Sequence, residues 1–367
     1  MLYVLLPVWQ SQFGLAYSVV GLLRAAYSVT MAGLQIPSSL VAERFGKRAV
    51  LGLGTLLAGA GFIFAGISGT LIGLCIGLII SGVGSSTQHP LASALVANAY
   101  AGAESRAALA TYNFSGDIGK MLLPAAAGLL LIVCSWQSSL LVFGCAGLVA
   151  AVAILLALRP PPDLPRSSSA PTAGAVQSAQ GTDWRGFSAL FSLGIIDSAT
   201  RMSFLTFLPF VLGAKGASLT TVGFGLTLVF LGGAAGKLVC GRLGAHIGVV
   251  RTVWLTELLT TGGIIVILLL PLGATLAALV LVGIALNGTS SVLYGTVPEL
   301  VADAQRGKAF GIFYTGTIGA GAIAPILCGW LGDVTGIEGA MLAVALFVLL
   351  TLPLAWLVNQ RLEFPRK

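Results

Sequence analysis

The sequence predicts an all-α polytopic membrane protein built as two pseudo-symmetric bundles of six helices. Three observations carry that expectation. The chain is 57% hydrophobic and only 8% charged, with a mean hydropathy of +0.99, where soluble domains carry about 25% charged residues. Apolar stretches of roughly 20 residues, the length that crosses about 30 Å of hydrocarbon, recur from one end of the chain to the other. The second half of the sequence also repeats the first.

The apolar stretches and their punctuation give spans at 1–9, 18–42, 49–67, 70–95, 107–133 and 137–158, then at 186–212, 219–241, 250–271, 273–297, 307–331 and 338–359. Between the two sets lies Arg159 to Arg185, rich in Pro, Ser and polar residues, which reads as a flexible linker. The expected units are therefore an N-terminal bundle at 1–158, a linker at 159–185, a C-terminal bundle at 186–359 and a tail at 360–367. Cys75, Cys134, Cys145, Cys240 and Cys328 lie in or beside apolar spans with no CxxC spacing, so they read as small packing residues and not as a metal or disulfide set.

Lys and Arg set the orientation. With the linker in the cytoplasm, Arg44, Lys47, Arg48, Arg106, Arg159, Arg166, Arg185, Arg242, Arg251, Arg306, Lys308, Arg361, Arg366 and Lys367 all fall inside, and only Lys215 falls outside. The net charge of +7 is then a topological bias and not a footprint for nucleic acid. The expected setting is the cell inner (plasma) membrane, with linker and C-terminus cytoplasmic.

Sliding the sequence by 202 positions brings Pro7 onto Pro209, Gly14 onto Gly216, Val20-Gly21 onto Val222-Gly223 and Gly46 onto Gly248. A slide of 200 brings Arg106 onto Arg306, Gly116 onto Gly316 and Gly119 onto Gly319. Duplicated helical units that rock about a central site are how alternating access is built. Met1 pairs with Ser203, whereas the seventh span opens near Gly186, so the first span is expected to be the short, incomplete copy.

Charges within the spans are the candidate functional residues, because each is costly in lipid. GDIGK in the fifth span places Asp117 about 16 Å and Lys120 about 21 Å from Arg106, on one helical face. IIDSATR in the seventh places Asp197 and Arg201 at i,i+4 at similar depth. Each pair reads either as a structural ion pair or as a group that trades its cation for a proton. Arg24 near the outer end of the second span is either a snorkelling residue or an anion contact. Lys237 is expected to snorkel, and Glu257 to be solvated near the cytoplasmic end or paired with Arg251. His89, before Pro90, is a hydrogen-bonded structural residue or a proton handler.

SSLVAERFGKRAVL, residues 38 to 51, resembles the loop between helices two and three of the major facilitator superfamily. Glu43 stands for the family's Asp, Arg44, Gly46, Lys47 and Arg48 match, and Ser39 replaces the leading Gly. The repeat at GRLGAHIGVVRT keeps Gly241, Leu243 and Gly248 but has Ala245 and His246 at charged positions. The resemblance covers essentially the whole chain and implies a secondary transporter. It also implies that Glu43, Arg44, Gly46, Lys47 and Arg48 form a cytoplasmic latch for the outward-facing state. Residues 82 to 100, GVGSSTQHPLASALVANAY, resemble the fourth helix of fosmidomycin-resistance-like exporters, although the fourth-helix Arg common in proton antiporters is replaced near Leu78.

The expected function is therefore alternating-access transport of a small-molecule substrate by a monomer in the lipid bilayer, with no cofactor, no metal and no nucleic-acid partner. Substrate or proton coupling falls to Asp117, Lys120, Asp197, Arg201, Arg24 and His89. Proton-coupled export of a drug-like or amphipathic compound is slightly favoured on the helix-four resemblance. Uptake of a small organic anion, resting on Arg24, Lys120 and Arg201, is the alternative. A non-transporting receptor or scaffold is the remote one. No GxSxG or HExxH motif points to an enzyme.

Overall fold

A computed structural model describes residues 1–100, 102–157, 183–302 and 305–363; most of the expected linker and the end of the tail lie outside them. Fourteen helices follow one another: α1 Leu2–Phe13, α2 Tyr17–Gly33, α3 Gln35–Phe45, α4 Lys47–Ser68, α5 Leu71–Ser85, α6 Gln88–Ala99, α7 Gly102–Val133, α8 Trp136–Ala157, α9 Trp184–Ala214, α10 Leu219–Ile247, α11 Val249–Leu269, α12 Leu272–Leu300, α13 Arg306–Val348 and α14 Thr351–Glu363.

Fourteen helices arise from twelve spans because three spans are broken beside prolines and a glycine hides one boundary. The second span bends by 43° between α2 and α3. Pro37 cannot donate to Gly33, and its ring crowds that carbonyl, which places the break at Leu34. Pro90 acts likewise on Ser86, splitting the fourth span into α5 and α6. Within the α13 range the chain kinks at Gly336, φ 78° and ψ 164°, which is the boundary between the eleventh and twelfth spans. The twelfth span breaks again at Leu349–Leu350, where Pro353 cannot donate to the Leu349 carbonyl. Gly46 and Gly248, the duplicated pair, both end a helix at φ 87° and 86° with ψ 136° and 160°, a region open only to glycine. That requirement explains why both copies of the repeat keep glycine there.

Within the first half α4 packs on α5 and α8; within the second, α10 packs on α12 and α9 on α13. The halves meet along α2 with α13 and along α7 with α10. Both seams are tight at one end. A Cβ on Gly21 of α2 would collide with the Pro325 carbonyl of α13, and its repeat mate Gly223 of α10 would meet the Pro124 carbonyl of α7 at 2.5 Å. The duplication therefore reproduces the interface itself, with each half supplying one glycine and one proline carbonyl. Such backbone approach is how helices associate in lipid, where dispersion and packing replace the hydrophobic effect.

The two ends differ. At the end bearing the 14–16, 134–135, 215–218 and 270–271 turns, one apolar core runs through both halves, with Trp9, Leu74, Phe204, Phe207, Ile264 and Met341 among its members. At the end bearing the basic loops the core divides into two. One lies around Phe187, Leu190, Val253 and Phe313, the other around Ala42, Leu51 and Leu91. On the seam helices at that end, a Cβ on Gly116, Gly119 or Gly319 would meet nothing within 4 Å. The molecule is closed at one end and cleft at the other.

Candidate substrate cleft and buried charge cluster

Asp117 of α7 accepts from Lys120 of the same helix at 3.0 Å and from Lys237 of α10 at 2.6 Å. The GDIGK pair is thus a triad that spans the seam. Its carboxylate is largely enclosed, at 14% accessibility, while the lysines stay open to the cleft at 54% and 44%. The expectation that Lys237 snorkels to the membrane interface is corrected. α10 lies against α7, where Thr227 donates to the Met121 carbonyl at 2.6 Å, and this turns the Lys237 face inward. The sequence could have shown it only through knowledge of which face of α10 meets α7.

Arg24 likewise points inward, so the snorkelling alternative does not hold. Its Nη2 donates to the Tyr3 hydroxyl at 3.0 Å, its guanidinium stands 5.2 Å from the centre of the Tyr3 ring, and the Met202 sulfur of α9 lies 3.8 Å away. Nη1 is buried without a hydrogen-bond partner. His89 is exposed in the first turn of α6, within electrostatic reach of Lys120.

A second polar cluster sits inside the second half. Asp197 and Arg201 of α9 line a cavity of ≈ 10 Å³, the room of about one water molecule, with Ser198, Ser290, Tyr294 and Thr317. The Tyr294 and Thr317 hydroxyls are 3.2 Å apart. Asp197 is buried, and among the described residues no ion pair within 4.0 Å joins it to Arg201, so the i,i+4 pair acts through space and not as a direct bridge. Glu257 of α11 is only 2% exposed and lies in the field of both. This overturns the expectation of a solvated Glu257 or one paired with Arg251. Six residues on a helix turn through about 600°, which sets Arg251 about 120° away from Glu257, on an exposed side.

In the ERFGKR loop Glu43 and Arg44 are exposed, and the Arg44 guanidinium stands 5.5 Å from the centre of the Phe45 ring. Arg48 donates to the Leu155 carbonyl at the end of α8, satisfying an orphan acceptor of its own half. Glu43 has no ion-pair partner among the described residues.

At the closed end a contact that the sequence did not reveal joins the halves. The N–H groups of Tyr17 and Ser18, first in α2, donate to the two carboxylate oxygens of Asp333 at 2.6 and 3.1 Å. Asp333 thus caps in trans a helix start that has no side-chain cap of its own. Lys215, at that end, donates to the Leu268 and Leu270 carbonyls at 3.0 and 2.6 Å, completing the end of α11.

Two helical bundles closed at one end, with charges facing a cleft at membrane depth, define a multi-pass membrane transporter. The family model of the Major Facilitator Superfamily matches residues 1–194 and 190–367, and the chain belongs to that family. It is 27% identical over 356 residues to human monocarboxylate transporter 11, covering 90% of this chain and 74% of that one. It is 24% identical over 369 residues to the probable sulfoacetate transporter SauU of Cupriavidus necator, covering 92% and 86%. A putative multidrug resistance protein, MdtD of Salmonella paratyphi B, is 29% identical over 131 residues, 36% of this chain and 28% of that one. Among solved structures, a bacterial homolog of the human lysosomal transporter Spinster superposes with a TM-score of 0.82 at 16% identity, covering 98% of this chain and 92% of that chain. The nucleoside transporter NupG gives 0.77 at 15%, covering 98% and 94%.

Proposed function

We propose that this protein moves a small organic anion, a carboxylate or a sulfonate, through the cleft by alternating access, together with a proton. The observation that carries this reading is the surplus of positive charge at the cleft. Lys120 and Lys237 stand there on the two sides of the single Asp117 carboxylate, and Arg24 adds a third inward-turned cation against Tyr3. A mobile anion can displace the Asp117 carboxylate from two solvent-accessible lysines, which come from opposite halves, and so sense the rocking of one half against the other. The two relatives aligned over most of this chain are named for anions, whereas the multidrug relative aligns over about a third.

On the positive-inside bias of its basic loops, the cleft end is read as the cytoplasmic one in a plasma membrane. The state described above is then inward-open, and in the outward-open state the cytoplasmic ends would meet and give Glu43 and Arg44 partners across the seam. The transporter is read as a monomer.

Drug export is the second reading, favoured by the His89-Pro90 step and the MdtD likeness. Counterflow exchange in liposomes, with lactate and sulfoacetate on one side of the panel and lipophilic cations on the other, separates the two. The anion reading expects saturable exchange of one of the anions, and Lys237→Gln should raise KM by about ten-fold, the loss of one charge-assisted hydrogen bond of about 1.5 kcal/mol. Exchange of lipophilic cations alone would establish drug export instead.

A further inference from the structure

The buried cluster of the second half has a charge count that does not close. Asp197 and Glu257 bring two carboxylates into a packed interior, 5% and 2% exposed, while Arg201 brings one guanidinium. An arginine does not give up its proton in a protein. A buried charge without a counter-charge costs several kcal/mol, and the cheapest relief is to bind a proton. Exactly balanced charge needs one proton on the two carboxylates.

We propose that Asp197 and Glu257 hold one exchangeable proton between them beside Arg201, and that this cluster, not the lysine cleft, is the proton-binding site of the transporter. The location rests on three features beyond the count. Oε1 of Glu257 is buried with no hydrogen-bond partner, as suits an oxygen that spends its time in a neutral acid. Around the pair are hydroxyls that can hydrogen-bond a carboxyl in either state. Thr289 lies beside Glu257 and bonds Thr256 at 2.7 Å, and Tyr294 bonds Thr317. The cavity lined by Asp197, Arg201, Tyr294 and Thr317 has room for about one water beside the Asp197 carboxylate, the kind of molecule that carries a proton to a buried acid.

The groups acting on the pair are Arg201, on α9 with Asp197 itself, Thr289 and Tyr294 from α12 and, through Tyr294, Tyr314 from α13; α10 and α14 contribute no charge to it among the described residues. Loading is a plain proton transfer. A hydronium ion reaching the cavity gives H⁺ to a carboxylate: its O–H bond breaks, the carboxyl O–H bond forms, water is left, and the cluster goes from one negative charge to none; release reverses it. One proton in this cluster and one anion on the lysines then move no net charge across the membrane. This assignment deepens the anion-symport reading and rests on it for its purpose, but proton binding is measurable whatever the substrate.

The test is infrared difference spectroscopy of the purified full chain in lipid, following the carbonyl stretch of protonated carboxyl groups as pH is stepped through neutrality and above. The wild type should show one buried carboxylic acid per chain that deprotonates on raising pH. Glu257→Gln and Asp197→Asn should each abolish it, because the remaining carboxylate is then balanced by Arg201; both leave the charge count closed and should keep the thermal transition of the wild type. Arg201→Gln should raise the count from one proton to two. Asp117→Asn should leave the band in place. An absent band in the wild type, or one that survives in folded Glu257→Gln and Asp197→Asn, overturns the assignment. A band that behaves as expected in a protein that transports none of lactate, sulfoacetate or other small anions would leave the proton site standing and overturn only the anion reading.

Discussion

Asp333→Ala removes the carboxylate that the first N–H groups of α2 borrow from the other half at the closed end. The two N–H groups of Tyr17 and Ser18 that it receives, at 2.6 and 3.1 Å, are exposed, so water replaces the carboxylate when the halves part. The relevant scale is therefore that of a helix N-cap, about 1 kcal/mol, which shifts the ratio of the two conformations roughly five-fold. The contact exists only when this end is closed, so the shift is toward the state in which this end is open. In a background without the five native cysteines, spin labels at Ser135→Cys and Pro271→Cys, on turns of opposite halves at this end, would report the populations as two inter-label distances. Asp333→Asn keeps an acceptor oxygen and should retain most of the closed population, since Asn and Asp cap comparably. Equal populations in wild type and Asp333→Ala would refute the clasp.

Gly21→Val and Gly223→Val should each drive the same labels toward the open distance by more than ten-fold, because a side chain at either place collides with a proline carbonyl across the seam; a shift from only one of them would contradict the repeated interface. Asp117→Asn frees Lys120 and Lys237 from their internal competitor, so KM for the anion should fall about five-fold and kcat should fall with it as release slows; a higher KM would show that Asp117 helps to bind the substrate. Glu43→Gln should slow turnover of reconstituted protein without lowering expression, and unchanged turnover would remove the latch.

Periodicity made the spans legible, and the duplication showed which glycines mattered. Gly21 with Gly223 and Gly46 with Gly248 are the same structural demand met twice, once at a seam and once at a turn. The breaks at Leu34 and at Ser86–Thr87 were present in the sequence as Pro37 and Pro90, yet apolar composition runs straight through both. Lys237 and Glu257 depart from expectation for one reason. Depth along a helix follows from counting residues, but facing follows from the neighbour: α7 for Lys237, and α12 with α13 for Glu257. The Asp333 clasp is carried by backbone N–H groups, which leave no trace in residue identity.

The measurement that bears most directly on anion symport is uptake of labelled lactate or sulfoacetate into liposomes holding the purified protein, driven by an imposed pH gradient. The expected result is accumulation above equilibrium in the wild type, collapse on adding a protonophore, and loss of accumulation in Lys237→Gln at low anion concentration. Anion uptake no faster than in protein-free liposomes, with lipophilic cations accumulating under the same gradient, would contradict it.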